Sequence, residues 1–230
     1  MASDSRLTMN NTDSSGPQTI VSVGVSQSDS NYKTFLGNGR VGISTFGAAT
    51  IKGIPISGYI ESFLTEKVAD NTDLEDVPQL LVEYFQTTPE VPAAGFHVAG
   101  YTKVGKQMEQ RIWRCFATGS AIQNVVPSTQ TSGALWNGEN DVLARITSPQ
   151  IHIEDGNGGY SLMPSYGIPF QMFTLQDMID FAVYGIRATA DTMRFQLRAK
   201  TVGGPIDVLI LKPTEAKWIS RKSLTKRDTE

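Results

Sequence analysis

The run from Leu175 to Leu197 limits the possible folds more than any other part of the chain. Leu175, Met178, Ile179, Ala182, Val183, Ile186, Ala190 and Met193 recur at helical spacing and form one apolar stripe. Thr174 stands where an N-cap belongs, just before Leu175-Gln176-Asp177. A helix this long and this one-sided must lie on another surface. The stripe reads as core facing a sheet rather than as a ligand box. Ile206 to Leu211 is continuously apolar and reads as a buried strand, followed by a shorter strand over Lys217 to Ser220.

The rest of the chain supplies further strands and helices. Met1 to Thr8 is strand-like but short, and Asn10 to Gln18 is a polar loop. Thr19 to Val25 is rich in β-branched residues and reads as a strand. Tyr32 to Leu36 and Val41 to Phe46 are strands joined by Gly37-Asn38-Gly39-Arg40, a hairpin turn composition. The spacing predicts helices over Ala49 to Val68, with Pro55 in the first turn, and over Val77 to Gln86. Strands are expected at Gly95 to Tyr101, Arg111 to Phe116 and Ala121 to Val126, and a short helix at Glu139 to Ile146. Ile151 to Phe173 is loop-rich, with a turn cluster at Asp155 to Gly159. Strands, two helices, strands, one or two helices and strands again suit an α+β fold with two sheets sandwiched between helical layers. No linker divides the middle, so residues 1–220 read as a single domain and 221–230 as a flexible charged tail.

Composition narrows the function. The net charge is −3, which argues against a nucleic-acid or membrane electrostatic footprint. No apolar run is long enough to span a membrane, and the N-terminus lacks a signal core. The single cysteine, Cys115, excludes an internal disulfide and lies in a strand-like run, where it reads as a small buried hydrophobe. The chain reads as a cytoplasmic protein. Gly37-Asn-Gly-Arg-Val-Gly42 matches a dinucleotide fingerprint only literally, because a strand follows it where that site needs a helix. His97 and His152 are the only histidines, too few for a metal site at suitable spacing. They also offer little to a Ser-His-Asp triad. His152-Ile-Glu154 lacks the companion cysteines of a zinc deaminase. No cofactor and no metal are expected.

Three stretches carry a resemblance. They are Met1-Ala-Ser-Asp-Ser-Arg-Leu-Thr8, then Tyr32-Lys-Thr-Phe35 with Val41-Gly-Ile-Ser-Thr-Phe-Gly-Ala48, and finally Thr201-Val-Gly-Gly-Pro-Ile-Asp-Val-Leu209. In order and content they resemble proteasome β-subunits and HslV, which are N-terminal-nucleophile (Ntn) hydrolases. Leu135-Trp-Asn-Gly138 is a weaker fourth match, to that family's serine-glycine turn. The resemblance implies a four-layer αββα sandwich and hydrolysis of amide bonds by the first residue of the mature chain. Its own α-amine, with an ordinary pKa of about 7.7–8.0, would be the base.

Carried over by position, the resemblance gives Asp4 as the ordering carboxylate, with Arg6 salt-bridged behind it. Lys33 becomes the lysine beside the nucleophile and Gly47 the oxyanion N–H. Thr45 becomes a wall of the side-chain pocket. Asn137 falls where the family has a serine, and Ala199 and Val202 where it has an acid and a serine. Without the resemblance, Asp4 and Arg6 would be a surface pair and Lys33 an exposed strand lysine. The nucleophile itself would lie upstream of Met1, on a strand that hairpins into Met1–Thr8. Expected partners are a peptide or amide substrate, further copies in an oligomer or ring, and an unfoldase, with no nucleic acid and no membrane. A catalytically inactive structural subunit of the same fold is the alternative, and a non-compartmentalised amidase a third reading.

Overall fold

The computed structural model describes residues 1–13, 20–119, 122–125, 132–147, 151–154, 156–164 and 166–224. The chain opens with β1 (Ala2–Ser3), then β2 (Leu7–Asp13) and β3 (Ile20–Ser28), which pair with each other as an antiparallel hairpin. The polar stretch expected as a loop from Asn10 is thus strand as far as Asp13, and residues 14–19 lie outside the described set. Partner-strand hydrogen bonding outweighs the weak strand propensity of Asn and Asp there. Met1 to Thr8 is not one strand either, because Asp4 to Arg6 interrupt it.

β4 (Thr34–Gly37) and β5 (Val41–Gly47) form the expected hairpin. Asn38 and Gly39 turn it with φ of 40° and 70°, a left-handed conformation that these two residue types tolerate best. β6 (Thr50–Ile51) and β7 (Ile54–Pro55) then make a minimal hairpin before α1 (Ile56–Lys67). The helix expected from Ala49 therefore starts seven residues late. Lys52 and Gly53 both take positive φ, and Pro55 forces Ile54 out of the helical region, so the apolar spacing before Ile56 belongs to a turn.

α2 (Val77–Gln86) falls where its periodicity put it. β8 (Ala94–Val104), β9 (Gln107–Phe116) and β10 (Ile122–Asn124) complete a five-stranded antiparallel sheet in the order β10-β9-β8-β5-β4. Next come α3 (Asp141–Thr147) and a small hairpin of β11 (His152–Glu154) and β12 (Tyr160–Leu162), within the span expected to be loop-rich. α4 (Leu175–Met193) begins with a reciprocal capping box between Thr174 and Asp177, but ends before Arg194 rather than reaching Leu197. β13 (Asp207–Leu211) and β14 (Ala216–Ser220) join β1 in a three-stranded sheet ordered β1-β13-β14.

The five-stranded sheet has two unlike faces. Phe35, Ile43, Val98 and Trp113 lie in one cross-strand row, with Phe96 and Cys115 in the next. All are buried with Ile56, Ile60 and Phe63 of α1 and Val77, Leu81 and Phe85 of α2. Phe85 stacks on Phe96 at 4.7 Å. On the other face β13 packs against β5 and β8. Gly42 permits this, since a Cβ there would stand 2.9 Å from Leu211 and 2.5 Å from the Met1 sulfur. α4 contacts β1 and α3, but its stripe is not the sheet-facing core expected of it: only Met193 of those residues is buried, and Leu175 and Met178 at its start are exposed. Among the described residues, four α-helices with several antiparallel sheets are compatible with the α+β class. Among the described residues no helix is long and apolar enough to cross a membrane.

The tail is anchored at its start. Asp207 is fully buried and needs a partner; it forms an ion pair with Lys222 and accepts that residue's backbone N–H at 2.8 Å. Tyr32 donates to the Lys222 carbonyl at 3.1 Å. Lys222 is thus held within the stretch expected to be a loose tail, of which residues 225–230 lie outside the described set.

Three outcomes follow from this packing. Phe85→Ala should cost about 3–5 kcal/mol in chemical denaturation, the usual range for a buried aromatic. Gly58, in α1, has open space around its would-be Cβ, so Gly58→Ala should raise stability by about 0.5–1 kcal/mol. The Cys115 thiol, pushed up to about 12 by burial, should resist a thiol reagent in the folded protein and react at once in denaturant.

Candidate functional site

Where β1 ends, Asp4 turns its carboxylate inward. Oδ1 accepts from Lys33 Nζ at 2.7 Å, and both side chains are largely shielded from solvent. Oδ2 accepts from the backbone N–H groups of Arg6 and Gly203, each at 3.1 Å. One carboxylate therefore ties three separated segments together with charge-assisted bonds. The neighbouring residues strengthen the junction. Ser5 donates its N–H to the Gly203 carbonyl at 3.0 Å and its hydroxyl to the Pro205 carbonyl at 2.6 Å. Ser3 and Thr34 hydroxyls meet at 2.8 Å in a buried position.

Arg6 supports Asp4 differently from expectation. Its guanidinium makes no salt bridge to Asp4 but binds Asp29 in fork-to-fork geometry, with Nε and one terminal nitrogen each 2.7 Å from a carboxylate oxygen. Only its backbone N–H reaches Asp4. This mutual hydrogen bonding holds Asp29 below the usual carboxylate range and raises Arg6 further. The pair lies across Gly203 and Gly204. A Cβ on Gly203 would stand 2.6 Å from the Arg6 guanidinium carbon, and one on Gly204 would stand 2.8 Å from Asp29 Cβ.

β5 positions the next candidates. The Lys33 carbonyl accepts from Thr45 N–H at 2.9 Å, which fixes the start of the Lys33 side chain. Thr45 lies opposite Phe96 and its hydroxyl contacts the Gly95 carbonyl at 3.4 Å. Gly47 ends the strand with φ +88°, and a Cβ there would stand 2.6 Å from the Ala93 carbonyl oxygen. Only glycine fits that position without moving backbone.

Asn137 comes from the turn before α3, where Gly138 has φ +98°. Glu139 accepts from the Thr201 hydroxyl at 2.7 Å, and Arg198 reaches Asp141 at 3.2 Å, so this turn is tied to the segment that supplies Gly203. Asn137 Oδ1 lies 2.7 Å from His97 Nε2. Burial holds His97 below its ordinary value, and the Asn137 bond opposes that shift. From the sequence His97 enters only as a metal or triad histidine, and neither pattern fits. The signal was the alternation of β8, which puts His97 on the face opposite Phe96 and Val98. His152, by contrast, is exposed on β11.

Asp4, Arg6, Lys33, Thr45, Gly47 and Asn137 all border one cleft of about 870 Å³. Met1 to Ser3 form part of its rim, Ser44 and His97 its sheet wall, and Phe181, Ala182, Gly185 and Ile186 of α4 its far wall. Among the described residues β1 pairs only with β13, so its other edge has no strand partner. A second depression of about 390 Å³, beside Leu175, Ile179 and Lys212, contains none of these groups. No protein-family model matches the chain, and a search of curated proteins returns no match.

Two measurements probe the junction. Gly47→Ala should lower stability by about 1–3 kcal/mol or more, the range for imposed backbone strain, while Gly203→Ala should displace the Arg6 guanidinium from Asp29 at smaller cost, and Gly58→Ala should not destabilise. For Asp29 the sign is set by its depressed value. Its contribution is present above the unfolded carboxylate value of about 3.9 and is lost as pH falls below that toward the folded value. A melting-temperature profile between pH 5 and pH 2, values on the order of the carboxylate range, should fall less steeply in Asp29→Asn than in the parent.

Proposed function

We propose that this chain is the body of a proteasome-β/HslV-like Ntn hydrolase that cleaves amide bonds with a nucleophile carried on a strand preceding Met1. The observation that carries the reading is the junction at Asp4. A carboxylate, a lysine and a glycine-turn amide meet beside a cleft whose rim also holds Gly47. The layering supports it as well. α1 and α2 cover the five-stranded sheet, that sheet meets β13, and α4 lies over β1, in keeping with an αββα sandwich. Among the described residues β1 pairs only with β13, and its residues border the cleft, which leaves a place for the nucleophile's strand.

The residues then divide the chemistry. Lys33 places a positive charge beside the nucleophile and favours its anionic form. Asp4 holds that ammonium in place and balances its charge. The nucleophile's α-amine takes the proton as the hydroxyl attacks the carbonyl carbon, and returns it to the leaving amine. The Gly47 N–H stabilises the oxyanion, and Thr45 borders the side-chain pocket. Water then releases the acyl group, regenerating the hydroxyl. The substrate class is a peptide or related amide. The implied partners are further copies in a ring and an unfoldase, in a reducing cytoplasm.

A second reading, a non-catalytic subunit of the same fold, is favoured by Asn137, Ala199 and Val202, which remove hydroxyl and acid groups from the outer proton network.

The test uses the protein as its gene encodes and its host processes it. A β-lactone or epoxyketone probe should label the first residue of the mature chain, mapped by peptide mass spectrometry. Lys33→Met should slow labelling by about 10²-fold or more. Absence of labelling from a folded ring-sized assembly would favour the non-catalytic subunit.

A further inference from the structure

The cleft contains one polar contact that the resemblance does not account for. Asn137 stands where the related enzymes carry a serine hydroxyl, and a carboxamide cannot relay a proton as a hydroxyl does. In this chain it does not stand alone, because His97 Nε2 lies 2.7 Å from its Oδ1. We propose that His97 is a positioning residue of this site: it donates through Nε2 to Asn137 Oδ1, fixes which way the carboxamide amino group points, and keeps Nδ1 as a proton acceptor beside the cleft. This inference rests on the hydrolase reading above.

The assignment follows from donor and acceptor chemistry. A carboxamide oxygen only accepts, so a contact at this distance needs a proton on Nε2. An uncharged imidazole then carries its lone pair on Nδ1, and Asn137 sets the tautomer. The surroundings keep the ring uncharged. Burial is the main cause, and Arg114, directly opposite on β9, also disfavours a second positive charge. On the β5 side His97 faces Ser44 and the Phe46 ring, whose centroid is 5.1 Å away, and neither carries charge. The α4 residues across the cleft are Phe181, Ala182, Gly185 and Ile186, also uncharged.

A purely structural role explains the contact less well. The Asn137 turn is already tied down by Glu139 to Thr201 and by Arg198 to Asp141. His97 is therefore not needed to hold the loop, whereas the rotation of one carboxamide depends on it. The outcome is a His–Asn pair in place of a hydroxyl, which returns a proton-accepting atom to a network that otherwise lost one.

The experiment combines a spectroscopic and a kinetic arm on the mature gene product. Nitrogen-15 NMR of histidine-labelled protein should show His97 as the Nε2–H tautomer, and Asn137→Ala should shift it toward a mixture. The Asn137 side-chain NH2 signals should move in His97→Phe and stay near their parent positions in His97→Gln, which retains a donor. Labelling by the nucleophile-directed probe should slow on the order of tenfold to a hundredfold in His97→Phe, with recovery in His97→Gln. An Nδ1–H tautomer, or labelling in His97→Phe at the parent rate, would overturn the inference. Failure of the broader reading looks different: the tautomer and carboxamide shifts appear as described while the parent protein itself takes no label, and the catalytic role of His97 falls with it.

Discussion

The carboxylate of Asp4 is the interaction on which the rest of the site depends. It holds the Lys33 ammonium with one oxygen and the amides of Arg6 and Gly203 with the other. These groups come from near the two ends of the chain and from Lys33, just before β4, so the carboxylate links three distant segments where the cleft opens. Leaving such a shielded charge without its partner costs far more than the pair itself contributes. That asymmetry explains why the surrounding contacts are so closely fitted. The Arg6–Asp29 pair leaves no room for a Cβ on Gly203 or Gly204, and Gly42 lets β13 and Met1 approach the five-stranded sheet.

The fold was legible wherever apolar periodicity and turn chemistry agreed. The β4–β5 turn, the apolar face of α2 and the capped start of α4 lie where the sequence put them, but the α4 stripe is not core, since only Met193 of it is buried. Where the two disagreed, local geometry won. Before α1 the spacing is helical, but Lys52-Gly53 and Pro55 dictate a hairpin. From Asn10 to Asp13 the sequence is polar, but pairing with β3 makes it strand. At the far end, buried Asp207 draws in Lys222 from a segment that composition alone marks as loose.

The six candidate residues border one cleft, but how they are wired together could not be read from the sequence. The partner of Arg6 could not be read from spacing, since the β2–β3 excursion returns the chain at Ser28 opposite Leu7 and so delivers Asp29 beside Arg6. The contact of His97 was hidden for a related reason: strand alternation sets its face, but only the fold brings Asn137, forty positions later, within hydrogen-bond reach.

What lies along the open edge of β1 decides whether Lys33 and Asp4 serve a nucleophile. A crystal or cryo-electron-microscopy structure of the protein as it matures in its host measures this directly. A strand should run along that edge and into the cleft, with the hydroxyl or thiol of its first residue within about 3 Å of Lys33 Nζ. A mature protein in which no strand lies along β1, or in which Lys33 faces only Asp4 and solvent, would contradict it.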